Sequence, residues 1–275
     1  MKISTATSVF INYQLPDAVD AIATLGIKGI DIWCGRPHLY RKDYSYPEIQ
    51  GLKKKLEEYH LITSSCMPAF FRYPFSLSSP NPVIRRDSIS YMKVCIDNAV
   101  LLGCPYVLVV PSKSLHGQST DDARNLYIES MRKICAYARQ KNMNLGLEVV
   151  YPGLSDYMCS TSDALDAIRK LGWDNLGVVL DSGHLNLSGE NIVTAVESVA
   201  KLLFGVHIND NDHFQQQNAI PGEGDFNFKE FLRVLKQNGY DGFLSFELGF
   251  PYTSDPLKAL NTSIQRLRMY IDAIK

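Results

Sequence analysis

Nothing in the 275-residue chain approaches the roughly 18 consecutive apolar residues that a membrane span needs. The opening stretch, MKISTATSVFIN, is too polar and short for the apolar core of a secretory signal, so a cytoplasmic protein is expected. Cysteine is scarce, and its six copies (Cys34, Cys66, Cys95, Cys104, Cys135 and Cys159) form no C-x-x-C pair. A disulfide framework or thiolate metal knuckle is therefore not expected, and reduced, mostly buried thiols are. Basic runs are equally short: Lys53-Lys54-Lys55 is the longest, on a segment that reads as an outer helix, and the formal charge is -1. Such a surface is a poor partner for nucleic acid.

What is abundant is apolar sequence, 45% of residues, cut into short runs. That is enough to bury a large core, and the length suits one α/β barrel domain spanning residues 1–275. The runs Lys2 to Val9, Gly29 to Trp33, Leu61 to Met67, Tyr106 to Val110, Asn144 to Val150, Leu176 to Asp181, Phe204 to Asn209 and Gly242 to Leu248 read as strands. Between and after them run helical patterns: Pro16 to Gly26, Pro47 to Tyr59, Ile84 to Leu102, Asp121 to Lys141, Ser162 to Leu171, Asn191 to Lys201, Phe228 to Asn238 and Leu257 to Ile274. Near-continuous apolar strands alternating with helices predict a parallel sheet covered by helices, and eight repeats predict closure into a (β/α)8 barrel, the TIM barrel. The connections after strands are long and rich in Arg, His, Tyr and Phe, whereas those after helices are as short as Leu25-Gly26. Function is thus expected at the strand C-terminal mouth.

Four strands end on ionisable residues: LGLEVV carries Glu148, LGVVLDSGH carries Asp181, LLFGVHIND carries His207 and FLSFELG carries Glu247. Taken singly, a strand-end carboxylate caps a helix or pairs with an arginine, and a lone histidine is usually structural. Four such ends on successive strands converge on one mouth, and three carboxylates with one imidazole make a hard set suited to one divalent ion, Mn2+ foremost, or Co2+, Mg2+ or Zn2+. Around it, His184 follows Asp181 by three residues, as a hydroxyl-binding group or a helix cap. His213 in NDNDHF reads as a ligand group or a solvated loop residue, and Asp210 and Asp212 as groups that orient His207 or a polar ligand. The turn IPGEGDF aims Glu223 at the mouth or at solvent. It lacks the Lys-Ser/Thr pair of a phosphate loop.

Glu, Asp, His and Glu at these strand ends, with D-x-x-H and a G-E-G turn, resemble the xylose-isomerase-like superfamily of sugar isomerases and epimerases along the whole chain. Within it, the loop WCGRPH (Trp33 to His38), the segment around Tyr73-Pro74, the run Arg85-Arg86-Asp87-Ser88 and IPGEG are similar to the fructoselysine 3-epimerases and ketose 3-epimerases. The resemblance implies a small-molecule sugar substrate, a homodimer or homotetramer, and one divalent ion on Glu148, Asp181, His207 and Glu247. It implies further that the ion holds the C2 carbonyl and C3 hydroxyl of a ketose while Glu148 and Glu247 exchange the C3 proton on opposite faces through an enediolate. Substrate contacts would come from His184, His213, Arg36, His38, Glu223 and Tyr73. Two departures alter the pocket: Leu154 stands where ketose epimerases carry a substrate-binding Glu, and His213 where they carry an Arg.

The same four residues serve a metal-dependent dehydratase of a cyclic polyol or dehydroshikimate-like acid, and that alternative stays open. An apurinic endonuclease would add histidines on strands two to four. Here strand three ends in Met67-Pro68 and strand four in Pro111-Ser112. A silent sugar-binding barrel is disfavoured, because a carboxylate-rich mouth without a metal carries repelling charges.

Overall fold

A computed structural model describes residues 1–41, 43–70 and 74–274. The strands are β1 (Lys2–Thr5), β2 (Gly29–Trp33), β3 (Ile62–Met67), β4 (Tyr106–Val109), β5 (Asn144–Val149), β6 (Leu176–Asp181), β7 (Leu203–Ile208) and β8 (Phe243–Phe246). They form one parallel sheet in the order β1-β8-β7-β6-β5-β4-β3-β2. A parallel bridge between Ala6 and Asp31, with the Lys28 N–H donating to the Ile3 carbonyl at 3.3 Å, brings β1 against β2 and rounds the sheet into a nearly closed barrel.

The helices are α1 (Leu15–Ala23), α2 (Tyr46–Glu58), α3 (Pro82–Leu102), α4 (Thr120–Gln140), α5 (Thr161–Leu171), α6 (Ser182–Ser188), α7 (Ile192–Val199), α8 (Phe228–Gln237) and α9 (Pro256–Asp272). Their ends are written locally. Ser45 and Glu48 close a reciprocal capping box on α2, and the Asn81 side chain accepts from the Val83 N–H at the start of α3. No helix among the described residues is long and apolar enough to cross a membrane.

All six residues of β6 are buried, as a strand covered on both faces requires. Inside the barrel Tyr106 crosses toward β7, where a Cβ on Gly205 would lie 2.0 Å from its hydroxyl oxygen. Only glycine leaves room for that ring. The thiols of Cys34, Cys66, Cys95, Cys104 and Cys135 are free and buried, and that of Cys159 is free and partly buried.

Two stretches depart from the sequence reading. The first strand, expected to reach Val9, stops at Thr5, and Thr7–Phe10 winds into a 3-10 turn. The cause is tertiary: Thr7 Oγ1 accepts the Trp33 N–H at 2.9 Å and meets His38 Nδ1 at 3.0 Å, drawing the chain inward at the barrel mouth. The second is α6, a short helix before the expected one. The Asp181 side chain starts it by accepting the His184 N–H at 2.8 Å, so the cap is the strand-end carboxylate and not the histidine.

Candidate active site and metal centre

Parallel strands of a barrel deliver their last residues to one mouth. Glu148 is the next-to-last residue of β5, Asp181 ends β6, His207 lies in β7 and Glu247 follows β8. Register pairs Asp181 with His207. His207 Nδ1 lies 2.8 Å from Glu148 Oε1 and 3.0 Å from Glu247 Oε2. One ligand atom from each of Glu148, Asp181, His207 and Glu247 falls within 4.8 Å of the others.

Burial shapes the charges of this group. Loss of water pushes the Asp181 carboxyl up to about 6, reinforced by Glu247 and Glu148 and opposed by His184 and His207. Burial alone would depress the His207 imidazole, yet the adjoining Glu148 and Glu247 carboxylates outweigh it and hold its pKa well above the ordinary histidine value. Glu247 is raised by burial but lowered more by the hydrogen bond and charge of His207, and ends below the usual glutamate value. A proton on His207 thus supplies the positive charge that three crowded carboxylates demand.

A divalent ion fits the same place. Metal–oxygen and metal–nitrogen bonds of about 2.1 Å set opposed ligands roughly 4.2 Å apart, so a contraction of a few tenths of an ångström would close the group around an ion. The ligand chemistry is hard throughout, and Asp181 is already oriented: Asn209 Nδ2 donates to its Oδ2 at 2.6 Å, while its Oδ1 holds the His184 N–H. Asn209 is itself fixed by Ser182, whose Oγ donates to the Asn209 carbonyl at 2.6 Å and accepts its N–H at 2.9 Å.

Above the group opens a cavity of about 530 Å3. Glu148, His184 and Glu247 reach its lining, with an apolar wall that includes Trp33, Met67, Leu108 and Val110. Ser8 and residues Gln215 to Asn218 add polar groups. His184 is buried, and its ring stacks on Tyr151 at 5.5 Å between centroids.

The other sequence candidates lie elsewhere. Arg36 is exposed, ion-paired to Asp43 at 2.5 Å and stacked over Tyr40, beside an outer groove. His38 is buried away from the cavity, between Thr7 and the Phe10 carbonyl, which its Nε2 meets at 3.2 Å. His213 is exposed, with its N–H on Asn211 Oδ1, and the cavity is lined instead by its loop neighbours from Gln215 onward. Glu223 is exposed, accepting from the Tyr252 hydroxyl at 2.7 Å with Arg266 at 3.7 Å. Tyr73 lies outside the described residues. Asp210 faces away from His207: its carboxylate accepts the N–H groups of Asn211, Gly222, Gly224 and Phe226 and so builds the IPGEGDF turn. Asp212 accepts from the Phe214 and Gln215 N–H groups within its own loop.

Sequence reading missed Asn209 and Trp33 as site residues. A period of two from His207 puts Asn209 at the same mouth, and from Asp31 it puts Trp33 there, so strand alternation carried both signals.

Residues 19–270 match the family model described as the xylose isomerase-like TIM barrel. The chain is 26% identical over 268 residues to the fructoselysine 3-epimerase of Shigella flexneri, covering 98% of this chain and 97% of that one. Among solved structures, 3-keto-D-glucoside 4-epimerase from E. coli superposes with a TM-score of 0.84 at 20% identity, covering 98% and 99% of the two chains. The IOLI protein with a bound zinc atom does so at 0.84 and 20%, covering 100% and 99%. Both share this fold.

Proposed function

The chain belongs to the xylose isomerase-like TIM-barrel family, and from that membership and the mouth geometry we propose that it is a divalent-metal-dependent ketose 3-epimerase. The observation that carries the reading is the pair Glu148 and Glu247, brought from β5 and from just past β8 to the same nitrogen of His207, Nδ1, and both lining one cavity. Epimerisation needs one group to take a proton from a face of the sugar and a second to return one from the other. Glu148, Asp181, His207 and Glu247 would hold the ion, Mn2+ by preference of an oxygen-rich set. When bound, it supplies Lewis acidity that polarises the sugar carbonyl and acidifies the neighbouring hydrogen.

The chain's own residues then divide the work. Glu148 and Glu247 remove and return the C3 proton. His184, held by Tyr151 and by its N–H on Asp181, donates to or accepts from a sugar hydroxyl. Trp33, Met67, Leu108 and Val110 cover the C–H face of the ring-opened sugar and keep bulk water from the proton in transit. Similarity to the fructoselysine enzyme supports a fructoselysine-like or free ketose as substrate.

Proton NMR in D2O with Mn2+, over fructoselysine, fructose, tagatose and ribulose, tests this. Deuterium entering at C3 together with a new epimer is the expected result. Metal-loaded protein that exchanges no ketose proton overturns the reading, as does loss of water from a cyclic keto-polyol with no epimer formed.

A further inference from the structure

Beneath the carboxylates lies a row of polar side chains that the proposed reaction does not use. Register sets His207 of β7 beside Ser245 of β8, and Ser245 beside Ser4 of β1. All three are buried. Ser245 lies two residues before Glu247 and so shares its inward face, one layer deeper in the barrel. From Ser4 the row continues: its Oγ is 2.5 Å from Ser64 Oγ, and Ser64 Oγ donates to Asp31 Oδ1 at 2.5 Å. Asp31 and Ser64 are buried as well.

Three atoms of this row have no hydrogen-bond partner: Asp31 Oδ2 at one end, Ser245 Oγ within it and His207 Nε2 at the other end. Buried polar atoms in native proteins are almost always partnered, by an ordered water where protein atoms do not reach. Adjacent strands are about 4.8 Å apart, a spacing that one water bridges. The row also has a direction. A carboxylate only accepts, so Ser64 donates to Asp31, the Ser64 oxygen accepts from Ser4, and the Ser4 oxygen is left as an acceptor toward β8. Ser245 Oγ bonds directly to neither neighbour, so the row carries on through a water on each side of it, and the same direction ends on His207 Nε2 as a donor.

We propose that Asp31 is a positioning residue for the metal centre: through Ser64, Ser4, Ser245 and a buried water on each side of Ser245 it holds His207 in its Nε2–H tautomer. That leaves Nδ1, the nitrogen facing Glu148 and Glu247, to bind the ion. The inference rests on the reading of His207 as a metal ligand. Outer partners of a metal-binding histidine typically account for 10–100-fold in affinity.

Zn2+, which is diamagnetic, allows a test on protein labelled with 15N-histidine. Long-range 1H–15N spectra of the Zn2+-loaded wild type should show His207 protonated at Nε2, and Zn2+ titration should give a stoichiometric site. Asp31→Asn replaces a group that only accepts by one that can also donate, so the direction of the row is no longer fixed. It should weaken Zn2+ binding by about 10–100-fold and shift the His207 nitrogen resonances, with a melting curve like that of wild type. Ser245→Ala, which removes the anchor of both waters and little volume, should act in the same direction and serves if Asp31→Asn fails to fold. Wild type protonated at Nδ1 when Zn2+ is bound, or folded variants with Zn2+ affinity within twofold of wild type and unchanged resonances, would overturn the inference. Wild type that binds no Zn2+ or Mn2+ overturns the metal reading itself.

Discussion

Glu148 and Glu247 meet the same imidazole from two strands, but Glu247 is the more open of the two, 15% against 4% of its side chain reaching water. Replacing either by glutamine keeps size and hydrogen bonding while removing the proton acceptor. Glu148→Gln and Glu247→Gln should each cut C3 exchange by about 10²–10⁴-fold, the usual worth of a positioned acid or base, with unchanged melting. Exchange near the wild-type rate in either folded variant would show that the two-carboxylate assignment is wrong. His38 illustrates a different residue-scale effect. Its Nε2 meets the Phe10 carbonyl, which only accepts, so Nε2 carries the proton and Nδ1 is left to accept from Thr7 Oγ1. A second proton would break that arrangement in a buried site, and burial, opposed by the Phe10 and Tyr13 carbonyls, lowers its pKa below the ordinary 6.5. Below 6.5 the unfolded chain therefore binds a proton that the folded chain refuses. The stabilisation from neutral His38 is complete above that pH and is lost as pH falls through the depressed folded value. Wild type should thus lose its stability advantage over His38→Gln between neutral pH and pH 5 in urea melts. A difference that stays flat over this range would contradict the account.

The loop between β7 and α8 shows how an element is held from one buried carboxylate. Asp210 accepts four N–H groups, two of them, from Gly222 and Gly224, on Oδ2. At Gly224 a Cβ would come within 2.0 Å of the Asn211 carbonyl oxygen, so the turn closes only on glycine. Asp210→Asn replaces one acceptor oxygen by a donor and leaves buried N–H groups facing it, a cost of about 1–3 kcal/mol. Its urea midpoint should fall accordingly, and the sugar KM should rise, because the same loop carries Gln215 to Asn218 to the cavity. A variant as stable as wild type would mean that the turn is held by other contacts. This loop also marks where sequence reading stops. The strands and most helices were legible because hydrophobic period, caps and Pro or Gly boundaries are local, and Glu148, Asp181, His207 and Glu247 were legible because strand ends converge by topology alone. Arg36, His38, His213 and Glu223 were not separable from true cavity residues by spacing, since each is placed by a long-range or loop contact: Asp43, Thr7, Asn211 and Tyr252 respectively. The early end of β1 has the same origin, for nothing in TSVF announces that Thr7 will accept the Trp33 N–H.

At the scale of the whole barrel, the proposed metal site would couple ion binding to folding at the mouth. Strands β5 to β8 are joined edge to edge by register, and their ends bring three carboxylates together around one imidazole. Without a cation those carboxylates repel, and closing the barrel works against them. An ion that binds only the folded chain stabilises it by mass action, about 2.7 kcal/mol at one hundred times Kd. In a domain of this size, each kcal/mol is worth roughly 2–4 °C in Tm, so a rise of about 5–10 °C is expected. Thermal melts in EDTA and in excess Mn2+ measure it. The rise should vanish in Asp181→Ala, which removes a ligand and leaves the β6 backbone in place, and should persist in His213→Ala, whose side chain is exposed outside the cavity lining. Equal shifts in the two variants would place the bound ion somewhere other than the four strand ends.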